Sequence, residues 1–240
     1  MLEREASESG AVVIRLARPP VNALDAGLIE AVEAALAGAL AEGATAVVLT
    51  GSGVSFSAGI DTKMAAAASP QERLAGAGAI NAMVSTIYSA PIPVVAAVNG
   101  HALGGGLVMA LACDVRVAAE GSYQIALNEV AAGVPFPAAP LRVVQAQLDP
   151  SVVNDLCLTG RRIGPAEAKA LHVVDEVVEP GRLGGRALEL ALELASFPAY
   201  ARVKDQLRGE VAAELKGIVA GGEPMLESWR RHHDPEHAAS

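Results

Sequence analysis

The sequence predicts an α/β fold with helices packed on sheets, and three observations carry that expectation. Short β-branched or apolar runs recur along the chain. Between them lie segments whose apolar residues repeat at helical spacing. Loops rich in Gly, Ser or Pro separate the two kinds of segment. At 240 residues the chain suits one domain, or one domain with a small appendage, and can bury a substantial core without disulfide staples.

Taken in order, Ala11 to Leu16 is a β-branched run ending at Arg18-Pro19-Pro20, a strand that leaves into a loop. Asp25 can cap a helix whose Leu28, Ile29, Val32, Leu36 and Leu40 share one face, with Gly43 at its end. Ala46 to Thr50 is a short buried strand. It runs into GSGVSFSAGID, a loop that contains Phe56 and ends near a new helix start at Asp61. Ser69-Pro70-Gln71-Glu72 reads as a capping box with proline at the first helical position, opening a helix towards Tyr88 that ends before Pro91 and Pro93. Val94 to Val98 is a third strand. The glycine turn of HALGGGLVMALACD follows it, with a helix and then a strand from Val115 to Ala118. Beyond Pro137 the pattern becomes mainly helical: Pro165 marks a helix start, Val173 to Val178 reads as a late short strand, and long helical stretches run from Leu183. The tail RRHHDPEHAAS is polar and expected to fray.

Composition excludes several functions. The hydrophobic fraction is 52%, yet every apolar stretch is short, diluted by alanine and broken by Gly, Pro or charge, so no membrane span is expected. A net charge of −9 with 3% aromatics argues against nucleic acid. An anionic ligand would have to be held locally, by helix N-termini, main-chain N–H groups or a few placed Lys and Arg side chains. Cys113 and Cys157 lie in apolar segments and read as buried free thiols. The opening MLEREASESG lacks the apolar core of a secretory signal, so the expected location is the cytoplasm.

The glycine-rich turns invite a nucleotide reading, but neither G-x-G-x-x-G nor G-x-x-x-x-G-K-[ST] occurs at them. A hydrolase elbow, G-x-S-x-G, also fails: Ser55 has Gly53 before it but Ser57 after it, and Ser57 has Ser55 before it. What remains is a pair of loops, FSAGID and HALGGG, each following a strand and each delivering free main-chain N–H groups at a helix start. Two such donors make an oxyanion hole, and glycines at 104 to 106 would let a carbonyl oxygen touch the backbone itself. Tight packing of helix on strand is the other reading of those glycines. His101 reads as a packed histidine and Lys204 as a surface helix charge. His232, His233 and His237 with Asp234 lie in a tail without a scaffold, so no metal site is expected.

FSAGIDTKM, together with PIPVVAAVNGHALGGGLVMALACDVRVAAE, resembles the crotonase family, also called the enoyl-CoA hydratase/isomerase family. The likeness runs from about Val12 to the late helices. It implies a spiral core of repeated ββα units over residues 1–190, with a helical C-terminal region and polar tail over 191–240. It also implies an acyl-CoA thioester substrate held as an enolate, no cofactor beyond the CoA of the substrate, and a homotrimer or dimer of trimers. Carried over by position, Ile60 and Gly105 match the two main-chain donors of the oxyanion hole. Ala58 and Asp61 flank the first donor, Asp61 as a helix N-cap, and Gly104 precedes the second. Lys63 matches a position that meets CoA, a solvated surface lysine being its other reading.

The family's hydratases carry two glutamates. Here the first position is Val108, which cannot transfer a proton, and the second is Glu129 in ALNEVAAGVPFP. Glu129 is therefore the expected catalytic base, and an apolar acyl pocket would raise its pKa. One base can take a proton from the α-carbon and return it at the γ-carbon, whereas hydration is work two glutamates share. The LNE and GVPFP segments also look more like the mitochondrial-type enoyl-CoA isomerases than the hydratases. The resemblance thus implies an enoyl-CoA isomerase. The alternatives are a hydratase, or a hydrolase or lyase of the same family, and a non-catalytic acyl-CoA binding protein. KMAAAASP is expected to border the acyl pocket, its small side chains fitting both a roomy pocket and a mobile loop.

Overall fold

A computed structural model of the protein describes residues 1–61 and 67–222. Lys63 and the histidines of the tail lie outside the described residues. Strands β1 (Leu2–Ala6) and β2 (Ala11–Leu16) form an antiparallel pair, followed by helix α1 (Ala26–Ala41). Three ββα turns come next: β3 (Ala46–Gly51), β4 (Ser55–Ser57) and α2 (Pro70–Tyr88); β5 (Val94–Val98), β6 (His101–Leu103) and α3 (Gly105–Ala112); β7 (Val115–Ala119), β8 (Ile125–Ala126) and α4 (Glu129–Ala132). The chain closes with α5 (Ala138–Gln147), α6 (Pro150–Thr159), α7 (Pro165–Ala170), β9 (Glu176–Val178), α8 (Leu183–Ala195) and α9 (Tyr200–Gly221).

The first strand of each turn joins one sheet and the second joins another. The larger sheet runs β1-β2-β3-β5-β7-β9, parallel from β2 onward, and the smaller runs β4-β6-β8, parallel throughout. This is the expected spiral of ββα units with a helical C-terminal region. Because β3 and β5 are covered on both faces, every one of their residues is buried, and they read as continuous apolar runs. Their alternation sorts two cores. Val47, Leu49, Val94 and Ala96 face α1 and α2, while Val48, Val95 and Ala97 face Leu183, Ala187 and Ala191 of α8.

Local chemistry sets the helix starts where the sequence places them. The Asp25 carboxylate accepts from the Leu28 N–H at 2.8 Å. At α2, Ser69 Oγ accepts from the Glu72 N–H while the Glu72 carboxylate accepts from the Ser69 N–H, the expected capping box.

Three expectations are corrected. The late strand begins at Glu176, not Val173, because Val173 and Val174 donate back to Ala168 O and bury their side chains behind α7. Cys113 is buried, but Cys157 is only half-buried; both are free thiols. Lys204 is no surface charge. Its Nζ donates to Asp114 Oδ2 at 2.8 Å, with only 9% of the lysine side chain exposed, and burial lowers its pKa. Arg208 completes the pin, at 3.1 Å from Asp114 Oδ1 and 4.5 Å from the centre of the Tyr88 ring. Among the described residues, no helix is long and apolar enough to cross a membrane.

Candidate active site

Since β4, β6 and β8 are parallel neighbours, the chain leaves all three at the same edge of the small sheet. Ala58-Gly59-Ile60 follows β4, Gly104-Gly105 follows β6, and Asn128-Glu129 follows β8. Segments far apart in sequence therefore meet at strand C-termini, where open α/β sheets commonly place their sites. Ala58, Ile60, Gly104, Gly105, Asn128 and Glu129 line one small cleft.

The first two loops touch backbone to backbone. Gly59 has φ +77°, and a Cβ there would lie 2.5 Å from Leu103 O and 3.1 Å from Gly105 N, so only glycine fits. The loop is tied down from the other side: Leu24 N–H donates to Gly59 O at 2.8 Å, and Asp61 N–H donates to Leu24 O at 3.3 Å. That bridge skips the N–H of Ile60. Among the described residues nothing accepts from it, or from the N–H of Gly105 at the first position of α3. Gly106 closes the packing, since a Cβ there would sit 2.3 Å from Ser57 O.

Asn22, which sequence reasoning passed over, anchors the first loop. Its buried amide donates to Ser52 O and Ser55 O at 3.0 and 2.8 Å, its Oδ1 accepts from Arg18 N–H, and its carbonyl accepts from Ser57 Oγ. The available signal was faint: one amide between Val21 and Ala23 in an otherwise apolar stretch.

Glu129 supplies the ionisable group. Only 7% of the residue is exposed, and among the described residues Oε2 has no hydrogen-bond partner. Burial therefore pushes its pKa up to about 7, against a weaker downward pull from its own backbone N–H. A Cβ on Gly104 would begin 3.3 Å from Glu129 Oε1 and 3.5 Å from Asn128 Oδ1, which places both side chains against that turn. Val108 is fully buried within α3. The half-buried Cys157 thiol is pushed up to about 11, first by burial and then by the Glu129 charge.

A larger cavity of about 600 Å³ lies between α1 and α2, and Ile60 lines both spaces. Leu24, Ile29, Ala79 and Ile80 contribute its apolar wall, and Ala67 and Ala68 of the alanine-rich stretch border it. Asp25, Glu30, Asp61 and Glu72 also line it. Arg18 bridges two of these acids, at 2.9 Å from Asp25 and 3.9 Å from Asp61. The residues singled out from the sequence thus separate: Ala58, Ile60, Gly104, Gly105 and Glu129 share the cleft, and Asp61 lines the cavity beside it. His101 is packed, its Nδ1 accepting from Gln124 N–H at 3.1 Å and its ring edge-on to Tyr123. Among the described residues no three His, Cys, Asp or Glu side chains are grouped to hold a metal. Two unpaired N–H donors beside an isolated carboxyl can stabilise a developing oxyanion while a proton moves.

A family model described as enoyl-CoA hydratase/isomerase matches residues 6–238. The carnitinyl-CoA dehydratase of Escherichia coli strain SMS-3-5 is 39% identical over 186 residues, spanning 76% of this chain and 70% of that protein. A probable enoyl-CoA hydratase from Mycobacterium tuberculosis H37Rv superposes with a TM-score of 0.88 at 27% identity, covering 97% of this chain and 98% of that one. Human mitochondrial Δ3-Δ2-enoyl-CoA isomerase shares the fold, with a TM-score of 0.87 at 24% identity over 98% of this chain and 92% of its own.

Proposed function

This chain belongs to the enoyl-CoA hydratase/isomerase family, and from that premise we propose that it is an enoyl-CoA isomerase, shifting a 3-enoyl-CoA to the 2-enoyl-CoA. One observation carries the reading: a single buried carboxyl, near neutrality in pKa, faces a cleft lined by two residues whose main-chain N–H groups are unpaired among the described residues. No second acid stands at position 108 to share the work of adding water.

In this reading the thioester oxygen accepts from the N–H groups of Ile60 and Gly105. Glu129 takes the C2 proton, and the electrons of that C–H bond move onto the oxygen as a dienolate. The dienolate then collapses with a C2=C3 bond as C4 takes the proton back from the Glu129 carboxyl. Atoms balance with no other reactant. Removing one oxyanion donor from such a pair costs about 3–4 kcal/mol of barrier lowering. A base with pKa near the working pH combines adequate ionisation with adequate proton affinity, which the burial of Glu129 provides.

A second reading, addition or removal of water by Glu129, is favoured by the relatives named carnitinyl-CoA dehydratase. Assays of 3-hexenoyl-CoA and 2-hexenoyl-CoA, matched in chain length, with wild type and Glu129→Gln separate the readings. Isomerisation is expected to outrun hydration in the wild type and to drop by about 10²–10⁴-fold in the variant. Equal isomerase rates in the two proteins refute the role of Glu129. Faster hydration than isomerisation selects the second reading, and tight acyl-CoA binding without turnover selects a binding protein.

A further inference from the structure

The cavity beside the cleft has a construction of its own. Glu72, Ala75, Gly76, Ala79 and Ile80 line it from α2, at intervals of three and four that form one helical stripe. Ala26, Ile29 and Glu30 oppose them from α1 at the same spacing. Two helices that pack together elsewhere along their length here face each other across about 600 Å³, a volume within the range of pockets that enclose a sizeable ligand. Small residues keep it open. A Cβ built on Gly76 meets nothing within 4 Å.

The cavity also adjoins the reacting centre. Ile60 lines it, and Leu24, another of its lining residues, reaches within 3.3 Å of where a Cβ on Gly105 would be. The neighbouring cleft holds the Glu129 carboxyl, more than nine-tenths buried and with Oε2 unpartnered among the described residues. A ligand entering one space therefore meets the other. Charge selects which end of an acyl-CoA that is. Of the acids lining the cavity, Glu30 is exposed, Glu72 is tied to Ser69, and Asp25 and Asp61 share Arg18. Among the described lining residues only these acids carry charge, which disfavours the phosphates of CoA and a terminal carboxylate there and leaves the neutral acyl chain as the fitting occupant.

We infer that this cavity, opened by Ala75, Gly76 and Ala79, makes the protein selective for uncharged medium- or long-chain acyl groups over short ones. The inference rests on the acyl-CoA reading of the site, and its test does not need turnover. Calorimetric binding of butyryl-CoA, decanoyl-CoA and the ω-carboxylate counterpart of decanoyl-CoA is measured on wild type, Gly76→Leu and Ala75→Leu. Each methylene buried adds about fourfold to affinity. Decanoyl-CoA is expected to bind wild type at least about tenfold tighter than butyryl-CoA. The ω-carboxylate loses that advantage, and each leucine removes most of it. Leucine is a better helix former than glycine and finds open space at 76, so a folded variant is expected; circular dichroism checks it, and the exposed position 75 gives a second route. Equal affinity for the two saturated chains, or a preference untouched by both substitutions, overturns the inference. An ω-carboxylate that binds as tightly as decanoyl-CoA overturns its charge selectivity. A leucine-sensitive preference in a protein that isomerises no 3-enoyl-CoA supports the inference while refuting the isomerase reading.

Discussion

Gly104, Gly105 and Gly106 are adjacent, yet each is bare for its own physical reason. At Gly106 a strand carbonyl stands 2.3 Å from the missing Cβ, which is helix-on-strand packing. At Gly105 a Cβ would meet side-chain carbons of Leu24 and Ile60 at 3.3 and 3.9 Å and the Gly59 Cα at 4.0 Å, so the glycine keeps the turn clear of the loop after β4. Gly104 turns the chain past the Glu129 carboxyl. That carboxyl links activity to stability. Its folded pKa, about 7, lies above its ordinary 4.5, so the folded state holds a proton the unfolded chain has released between those values. Stability is thus full below pH 4.5 and falls as pH rises through 7, by roughly 3 kcal/mol for this group. Glu129→Gln is expected to unfold at higher urea than wild type at pH 8, by up to about that amount, with the difference vanishing at pH 4. A variant no more stable than wild type at pH 8 would show that the carboxyl carries no such burial penalty.

Among the elements, the parallel small sheet does most to build the site, because it brings three separate exits to one edge. It was also the least legible. Strands of two or three residues are too short to show alternation: β4 and β6 fall in segments that read from the sequence as loops, and β8 gives no local signal of its own. Helices α1 and α2 were legible because a cap is local chemistry, complete within four residues. Lys204 was misread because its partner lies 90 positions earlier, beyond any local pattern. That contact has an energetic role: Asp114 holds Lys204 and Arg208 of α9 and accepts from the Val94 N–H at the start of β5. Asp114→Ala takes the counter-ion from Lys204 and Arg208, which keep their hydrogen bonds to Ile92 O and to Ala112 O and Cys113 O, and is expected to cost about 3 kcal/mol in urea unfolding. Lys204→Met, which leaves Asp114 and Arg208 paired, is expected to cost distinctly less.

At the scale of the molecule, an acidic chain is assigned an anionic ligand, so attraction has to come from local groups rather than from net charge. In the proposed function the amides of Ile60 and Gly105 answer only the charge that develops on the thioester oxygen, and they do so without a basic residue. The surface carries a second signal. Leu207 is 79% exposed on α9, with Phe197, Val203 and Val219 also exposed on or just before that helix. These residues support the proposed homotrimer or dimer of trimers, in which they would be covered by other copies. Sedimentation of the full chain is expected to give three or six copies, and Leu207→Glu to shift the distribution towards the monomer; a wild-type monomer would refute the assembly.

The contact of Gly59 with Leu103 and Gly105 has a consequence for divergence. If peptide groups alone grip the thioester, a lineage can exchange its acid at 129, install another at 108 or reshape the wall along α2 while the grip survives every intermediate. New reactions can then arise one substitution at a time from ancestors that never stopped holding their ligand.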